Sequence, residues 1–272
     1  MPTAEAGEAV VEVRAAAINP GEASIRTGAL HERFPATFPS GQGSDLAGVV
    51  SAVGDGVEEF AVGDEVLGFS WQRSSQATHA SVPTSQLIHK PSELSWEAAG
   101  SLYVVGCTAY AAVRAVDVKA GDTVAVSAAA GGVGTVVVQL LGVRGAQVLG
   151  IASPANAEWL IAHGAIPIPY GDGLAERLRA TAPNGIDAFI DLFGAEYVQL
   201  AADLGIPRDR IETIIAFEKA QELGTKADGS GTASTTEVLT EMANLVASGK
   251  IEIPIAATYP LEQVAAAYEQ LE

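Results

Sequence analysis

The sequence predicts a chain of the α/β class, with a doubly wound parallel sheet and a second, irregular β-rich barrel. Three observations predict this combination. Short strand-like stretches punctuated by Gly and Pro fill the first hundred residues. Strands and helices alternate from Thr123 onward, and a glycine-rich turn joins the first of these strands to a helix. Right-handed crossovers between such strands produce a parallel sheet.

The glycine turn is the most informative segment. Residues 123–127 are uncharged and rich in β-branched side chains, which is typical of a strand buried on both faces of a parallel sheet. Glycines follow within residues 131–134, and an apolar stretch of helical length covers residues 135–141. A pyrophosphate binds where such a turn opens a helix, because backbone N–H groups are free there. The pattern indicates a dinucleotide site, although Ala129 stands at the first position of G-x-G-x-x-G.

A membrane helix is the alternative for this region, because residues 124–143 are uncharged and long enough to cross a bilayer. Glycines and alanines at the centre of the stretch, and its division into a strand and a helix, favour the globular interpretation.

Composition narrows the class of protein. The 272 residues allow one large or two ordinary domains, and the net charge of −18 argues against nucleic acid and anionic membranes. A single cysteine, Cys107, excludes an internal disulfide framework and a multi-cysteine zinc cluster. The acidic N-terminus has no basic region followed by an apolar one, so we expect no secretory signal and a cytoplasmic enzyme.

The remaining strands and helices are predicted from the periodicity of apolar residues and from the Gly and Pro residues between them. The predicted strands are residues 9–14, 47–53, Glu65–Phe69, 123–127, Gln147–Ala152, 166–170, 186–192, 210–216 and 251–256. Predicted helices begin near Asn156, Leu174, Glu196 and Glu218, and two more cover residues 237–248 and 261–271. Residues 224–236, rich in Gly, Ser, Thr and Ala, are predicted to form a flexible surface loop.

Several short motifs occur in a characteristic order. They are residues 17–20 (A-I-N-P), 43–50 (G-S-D-L-A-G-V-V), 62–66 (V-G-D-E-V), 106–110 (G-C-T-A-Y), 128–134 (A-A-A-G-G-V-G) and 259–261 (Y-P-L). Together they resemble the zinc-independent, quinone-reductase-like members of the medium-chain dehydrogenase/reductase superfamily, in which alanine is usual at the first glycine position. The resemblance implies a GroES-like domain over residues 1–105 and 252–272, and a Rossmann NADP(H)-binding domain over residues 106–251.

The resemblance also implies an activity. We expect an NADPH-dependent oxidoreductase that transfers hydride to quinones or α,β-unsaturated carbonyls without zinc, and often a homodimer. The alternative is an NADP(H)-binding structural or redox-sensing module with little catalysis. This alternative stays open because many relatives have lysine at the position of Asn156 and tyrosine at the position of Ser24. Relatives also have further strands before Gly7 and after Glu272, so their absence predicts an unpaired sheet edge or a trimmed sequence.

The preference for NADPH depends on the end of the second strand of the parallel sheet. An acid there would accept the ribose hydroxyls of NAD, but Gln147–Ala152 is followed by S-P-A-N without an acid. Ser153 and Asn156 can donate to a 2′-phosphate, or they can cap the next helix. Tyr170 ends the next strand, where the family also contacts this phosphate. We favour NADPH because no acid at this position would repel its 2′-phosphate, although the neutral groups there attract the phosphate only weakly.

Asn19 is the main catalytic candidate, because the family places this residue at the nicotinamide and the substrate, where donors polarise the substrate oxygen. The alternative is a turn asparagine before Pro20. Ser24 is the second catalytic candidate, and we expect Glu22 to be solvated. Thr108 resembles a threonine near the nicotinamide ribose, or it packs within a helix.

The further site residues fall into two sets. The predicted cofactor-binding residues are Asn19, Thr108, Ala130, Gly131, Gly132, Val133, Ser153, Asn156, Tyr170, Phe193 and Phe217. The last two follow the fourth and fifth strands, at the ends where α/β sheets bind ligands. The predicted substrate-lining residues are Phe69, Trp71 and Tyr103, although large aromatic residues more often belong to a core.

We expect no metal. Zinc-dependent relatives have a cysteine at the position of Asn19, a histidine at Ser44 and a further ligand near Val104, and none of these three supplies a thiolate or imidazole. The histidines lack ligand spacing and are His31, His79, His89 and His163. Cys107 lies among small apolar residues and is expected in the core.

Overall fold

The computed structural model describes residues 1–32, 35 and 38–271. The chain divides into two compact units. The first contains Met1–Val104, Thr235–Gly249 and Ile253–Glu272, and the second contains Val105–Ser234 and Lys250–Glu252. Residues 235–249, which the sequence assigned to the nucleotide-binding domain, group with the first unit.

The first unit contains a five-stranded antiparallel sheet. Its strands are β1 (Glu8–Ala15), β2 (Asp45–Val53), β3 (Glu65–Phe69), β4 (His79–Pro83) and β5 (Leu87–His89). Their order is β4-β1-β2-β3-β5, so β4 and β5 form the edges. One face of the sheet covers a core that includes Val11, Leu46 and Val66. A Cβ on Gly48 would lie 2.1 Å from the carbonyl oxygen of Glu12, so glycine permits the close approach of β1 and β2.

The second unit contains a five-stranded parallel sheet. Its strands are β6 (Thr123–Val126), β7 (Gln147–Ala152), β8 (Ala165–Pro169), β9 (Ala188–Asp191) and β10 (Ile211–Thr213). Their order is β10-β9-β6-β7-β8. From β6 the chain continues to β7 and β8 on one side, and it then crosses to β9 on the other side of β6. The carboxyl ends of β6 and β9 therefore form a topological switch point. The predicted fold class, a Rossmann-type sheet with a GroES-like β domain, is confirmed.

The helices complete both units. They are α1 (Pro20–Arg26), α2 (Trp96–Ala99), α3 (Leu102–Ala115), α4 (Gly132–Val143), α5 (Ala157–Ala162), α6 (Leu174–Thr181), α7 (Ala195–Asp203), α8 (Phe217–Leu223), α9 (Thr236–Ala247) and α10 (Val264–Leu271). α4 packs against β6 and β7, α6 against β8, and α7 against β9 and β10. α9 contacts β5, which explains why it groups with the first unit.

The central strand β6 is buried on both faces, as predicted. Val124, Ala125 and Val126 have no exposed surface. Ala125 joins Leu149, Phe189 and the helices α6 and α7 in one core cluster. Because side chains alternate along a strand, its neighbours Val124 and Val126 are buried on the opposite face.

One strand predicted from the sequence is absent. Residues 251–256 form no strand in the structure, because Pro254 interrupts the alternation and cannot donate to a ladder. The loop predicted over residues 224–236 contacts β10. Lys226 forms a parallel bridge with Glu212, and its N–H donates to the carbonyl of Ile211 at 2.9 Å, while Ala233 is buried.

In the part of the chain that the structure describes, no helix has both the length and the apolar character needed to cross a bilayer. The stretch that raised the membrane alternative is divided between β6 and α4.

Candidate active site

The glycine turn joins β6 to α4. β6 ends at Val126, and α4 begins at Gly132 with Gly131 as its N-cap. Gly131 and Gly132 are exposed, and Val133 is half-buried. The N–H groups in the first turn of a helix have no partner within the helix. The turn therefore offers main-chain donors at the positive end of a helix dipole.

Close packing shapes this turn. Ala128 has φ of 45°, in the left-handed region, and its carbonyl oxygen accepts the N–H of Gly131 at 2.9 Å. A Cβ on Gly134 would lie 2.1 Å from the same oxygen, so glycine is required there. A Cβ on Gly132 would meet only Val105, at an ordinary 3.6 Å.

The turn fits the pyrophosphate of a dinucleotide. Gly131 and Gly132 have no side chain that would block an approaching phosphate, and the half-buried Ala130 precedes them. The buried Ala129 is accommodated at the first glycine position because its methyl group lies beside Gly150, where no side chain competes.

Ser153 and Asn156 follow β7 and are half-buried. The side-chain amide of Asn156 donates to Ser153 Oγ at 3.1 Å. Ser153 and Asn156 occupy the N-cap positions of a short 3-10 helix and of α5, but neither side chain makes a capping hydrogen bond in the described structure. Both polar groups lie together at the carboxyl end of the second strand of the sheet.

Tyr170 follows β8 and is 56% exposed. The guanidinium of Arg177, on α6, holds the loop that carries it. Arg177 donates from Nε and Nη2 to the carbonyl of Pro169 at 3.0 and 2.8 Å, and from Nη2 to that of Gly171 at 3.1 Å. Arg177 Nη1 also donates to the carbonyl of Asp172 at 2.7 Å. One cation therefore holds three carbonyl groups, one before Tyr170 and two after it.

Asp191 links the ends of three strands at the switch point. Its Oδ1 accepts from Ser127 Oγ at 2.7 Å and from the N–H groups of Phe193 and Gly194 at 3.0 and 3.1 Å. Its Oδ2 accepts from Thr213 Oγ1 at 2.7 Å. Burial raises the pKa of Asp191, and the four donors oppose this shift. Asp191 therefore orders the ends of β6, β9 and β10.

The two predicted phenylalanines differ in exposure. Phe193 is 59% exposed at the end of β9, with its ring edge-on to Tyr197 at 5.6 Å between centroids. Phe217 begins α8 and is half-buried. Phe193 therefore presents the larger apolar surface to a ligand at this edge.

Thr108 and Cys107 lie side by side in α3, and both are buried. The core position expected for Cys107 is confirmed.

Asn19 is the N-cap of α1 and is itself buried. Its backbone N–H donates to Glu22 Oε2 at 3.1 Å. Its side-chain Nδ2 donates to Glu22 Oε1 at 3.3 Å and to Asp45 Oδ2 at 2.9 Å. The amide therefore lies between two carboxyl groups, which an ordinary turn asparagine would not require. Ser24, one turn further on, is half-buried and donates from Oγ to the carbonyl of Pro20 at 3.3 Å.

The expectation that Glu22 is solvated is wrong, because its side chain is only 3% exposed. Its carboxylate accepts from the N–H of Ser44 at 2.7 Å and from the hydroxyl of Tyr268 at 2.9 Å. The amide of Gln76 adds a longer contact of 3.4 Å. Donors from three distant parts of the chain enclose the group, which a local sequence pattern does not reveal.

Sequence reasoning also missed Asp45 and Tyr268. Asp45 accepts the N–H of Val104 at 2.8 Å in the first turn of α3. Its burial and the charge of Glu22 raise its pKa to about 7. Burial and the same charge raise the pKa of Tyr268 to about 12. The available signal for Asp45 was an acid at the start of a largely apolar strand.

The predicted substrate-lining aromatics form a stack. Phe69 and Tyr103 lie 4.3 Å apart between centroids, at 13° between planes, and both are buried. Trp71 lies edge-on to Phe69 at 5.9 Å and is 51% exposed. Of the three, Trp71 therefore offers the surface that a ligand could contact.

Among the residues that the structure describes, no group of three or more His, Cys, Asp and Glu side chains could hold a metal ion. Two of the histidines have aromatic contacts. His89 lies against the ring of Phe60 at 4.9 Å, and His163 stacks on Trp159 at 3.9 Å.

Comparisons with known proteins agree with this architecture. Residues 5–85 match the protein-family model described as "Alcohol dehydrogenase GroES-like domain", and residues 166–272 match the one described as "Zinc-binding dehydrogenase". The human quinone oxidoreductase is 28% identical over 283 residues, which cover 97% of this chain and 85% of the human protein.

Two solved structures are also similar. The quinone oxidoreductase from Coxiella burnetii superimposes with a TM-score of 0.87 at 28% identity, over 99% of this chain and 88% of that chain. The Escherichia coli quinone oxidoreductase complexed with NADPH gives 0.84 at 26% identity, over 100% and 90%.

The fold and these matches define an oxidoreductase of the medium-chain dehydrogenase/reductase type. Within that superfamily, the chain belongs to the quinone oxidoreductase family. Residues 166–272, which match the model described as "Zinc-binding dehydrogenase", contain neither histidine nor cysteine.

Proposed function

We propose that the protein is an NADPH-dependent reductase of quinones or α,β-unsaturated carbonyls that works without zinc. The observation that carries the proposal is the glycine turn at the carboxyl edge of the parallel sheet. It places the exposed Gly131 and Gly132 and the first-turn N–H groups of α4 beside the switch point where such sheets bind dinucleotides. The NADPH complex of the Escherichia coli relative supports the choice of cofactor.

The proposed site along the sheet edge has three parts. Residues 130–133 and the first turn of α4 hold the pyrophosphate through main-chain donors. Ser153, Asn156 and Tyr170 bind the 2′-phosphate with neutral hydrogen-bond groups. No acid stands at the end of β7 to repel this phosphate. Phe193, Phe217 and Thr108 complete the nicotinamide side.

The chemistry divides between cofactor and protein. When bound, NADPH supplies the hydride. The chain's own residues orient the reactants, exclude water and stabilise negative charge on the substrate oxygen. Asn19 is proposed for the reacting end, with Ser24 beside it and Trp71 as a contact for the acceptor. The proton that completes the reduction comes from solvent in this proposal.

A direct assay tests the proposal. NADPH absorbance is followed with a panel of quinones, enones and alkenals, and the panel is repeated with NADH. Consumption that is faster with NADPH is the expected result. Tight NADPH binding without turnover of any acceptor would instead favour a nucleotide-binding structural or redox-sensing module.

Two further parts of the proposal have their own measurements. Elemental analysis of the purified protein tests the absence of zinc, and one tightly bound zinc per chain contradicts it. Analytical ultracentrifugation tests the homodimer that the resemblance implies.

A further inference from the structure

The first unit contains a buried polar cluster, which we define as Asn19, Glu22, Asp45, Gln76 and Tyr268. Its two acids are almost completely buried, at 3% and 1% exposure. Within the described part of the chain, neither acid forms a salt bridge. Burial of carboxyl groups without a cation lowers stability. Stability alone therefore does not explain the cluster.

We infer that Glu22, Asp45 and Tyr268 are positioning residues that fix the side-chain amide of Asn19 for the reaction. This inference rests on the proposed function, in which Asn19 lies at the reacting end. The evidence is the direction of the two Nδ2 hydrogen bonds, at 3.3 Å to Glu22 Oε1 and 2.9 Å to Asp45 Oδ2. Two carboxyl acceptors on one NH₂ group determine both the position and the rotation of the amide.

Tyr268 and the backbone of Ser44 hold Glu22 in place. Tyr268 donates its hydroxyl proton to Glu22 Oε2 at 2.9 Å, while the Ser44 N–H reaches Oε1 at 2.7 Å. Gln42 and Gln76 donate to the Tyr268 oxygen at 3.1 and 2.9 Å. A rotation of the Glu22 side chain would leave several of these buried donors unpaired, which is unfavourable.

The cluster also predicts a pH dependence, because Asp45 is its titrating member. The pKa of Asp45 is raised to about 7 by burial and by the charge of Glu22. Among the described residues, the other charged or titratable groups at the cluster are Tyr268, with a pKa raised to about 12, and Arg26, whose guanidinium carbon lies 4.7 Å from the Tyr268 ring. Ionised Asp45 is a stronger acceptor for Asn19 than the neutral acid. The reaction rate should therefore increase as the pH rises, with an apparent pKa near 7. This apparent value belongs to the coupled pair of Asp45 and Glu22.

Four variants test the inference. Glu22→Gln keeps the size but places an NH₂ group among donors, and Tyr268→Phe removes the hydroxyl that holds Glu22. Asp45→Asn removes the titrating group, and Glu22→Asp is the conservative variant that keeps the charge. Glu58→Gln is the matched control, because it removes an exposed carboxylate from the same unit.

The measurements are kcat and KM for one quinone from pH 5 to 9, the Kd for NADPH by fluorescence, and the melting temperature. We expect Glu22→Gln and Tyr268→Phe to lower kcat by about 10- to 100-fold, the scale of a misplaced reacting group. The Kd for NADPH should change by less than about threefold, because the pyrophosphate is held by the glycine turn. Asp45→Asn should remove the pH step, Glu22→Asp should recover part of kcat, and Glu58→Gln should resemble the wild type.

The outcomes separate the two proposals. If the wild type reduces the quinone but kcat and the pH profile of the variants stay unchanged while melting temperatures fall, the cluster is only structural and the inference is overturned. If Glu22→Gln does not fold, Glu22→Asp and Tyr268→Phe decide the question by the same criteria. If the wild type turns over no acceptor, the proposed function fails, and the positioning role fails with it.

Discussion

Glu212 makes the stability of the second unit depend on pH. This residue of β10 has no exposed surface. Its Oε1 accepts the N–H of Asp228 at 2.6 Å, whereas its Oε2 has no hydrogen-bond partner among the described residues. Burial raises the pKa of Glu212 from 4.5 to about 9, against the lowering effect of the Asp228 N–H. The folded protein therefore holds a proton that the unfolded chain releases above pH 4.5.

The sign follows from proton linkage. The folded-state pKa exceeds the unfolded value, so the stability contribution is complete below pH 4.5 and is lost as the pH rises to about 9. One proton corresponds to a slope of about 1.4 kcal/mol per pH unit in this window. Over the whole window the loss amounts to several kcal/mol, which is a large fraction of a typical folding free energy.

Glu212→Gln tests this reasoning. Glutamine keeps the acceptor for the Asp228 N–H but does not titrate, so the variant should gain stability relative to the wild type as the pH rises. Urea unfolding from pH 5 to 9 measures the difference, and each kcal/mol should also appear as ~2–4 °C in Tm. Glu218→Gln, an exposed change in the same unit, is the control and should give a constant difference. Parallel stability curves for the wild type and Glu212→Gln would refute the linkage argument.

Three further predictions concern the sheet edge. Gly131→Asp requires the Ala128 carbonyl oxygen, 3.2 Å from the added Cβ, to shift by only a few tenths of an ångström, but it should weaken NADPH binding by roughly 100-fold through repulsion of the pyrophosphate. Unchanged affinity in a fluorescence titration would contradict the assignment of the turn. Gly134→Ala should cost about 1–3 kcal/mol of unfolding free energy, because its Cβ would overlap a carbonyl oxygen, whereas Gly132→Ala should be tolerated. Equal melting temperatures for these two alanine variants would argue against the close packing. Arg177→Ala should release the loop around Tyr170 and raise the Kd for NADPH by about fivefold, with a smaller effect on NADH. An identical effect on the Kd values of both cofactors would show that this loop does not bind the 2′-phosphate.

The parallel sheet was predictable because its signals are local. β-branched stretches bounded by glycine located β6 and β7, and the observed bounds Gln147–Ala152 agree with the prediction. The start of α6 at Leu174 was also located correctly. Pattern failed at residues 251–256, where alternation suggested a strand that finds no partner. A strand needs a neighbour to satisfy its backbone, and sequence pattern does not supply one.

The candidate site also contains some features that could be predicted from the sequence and others that could not. Residues that follow strands, such as Ser153, Tyr170 and Phe193, could be placed from the sequence, because the carboxyl ends of parallel strands share one edge. The environment of Glu22 could not be predicted, since its donors come from Ser44, Gln76 and Tyr268, up to 246 positions away.

The amino-acid sequence by itself determined the alternation of strands and helices in the second unit, the glycine turn and the family, because each depends on short motifs of residues close together in the chain. Only the tertiary structure decided which polar groups are buried and what they contact. Asp45 and Glu212 show the reason. The pKa of a carboxyl group depends on the water removed around it and on donors and charges contributed by remote segments. Those segments come together only when the chain is folded.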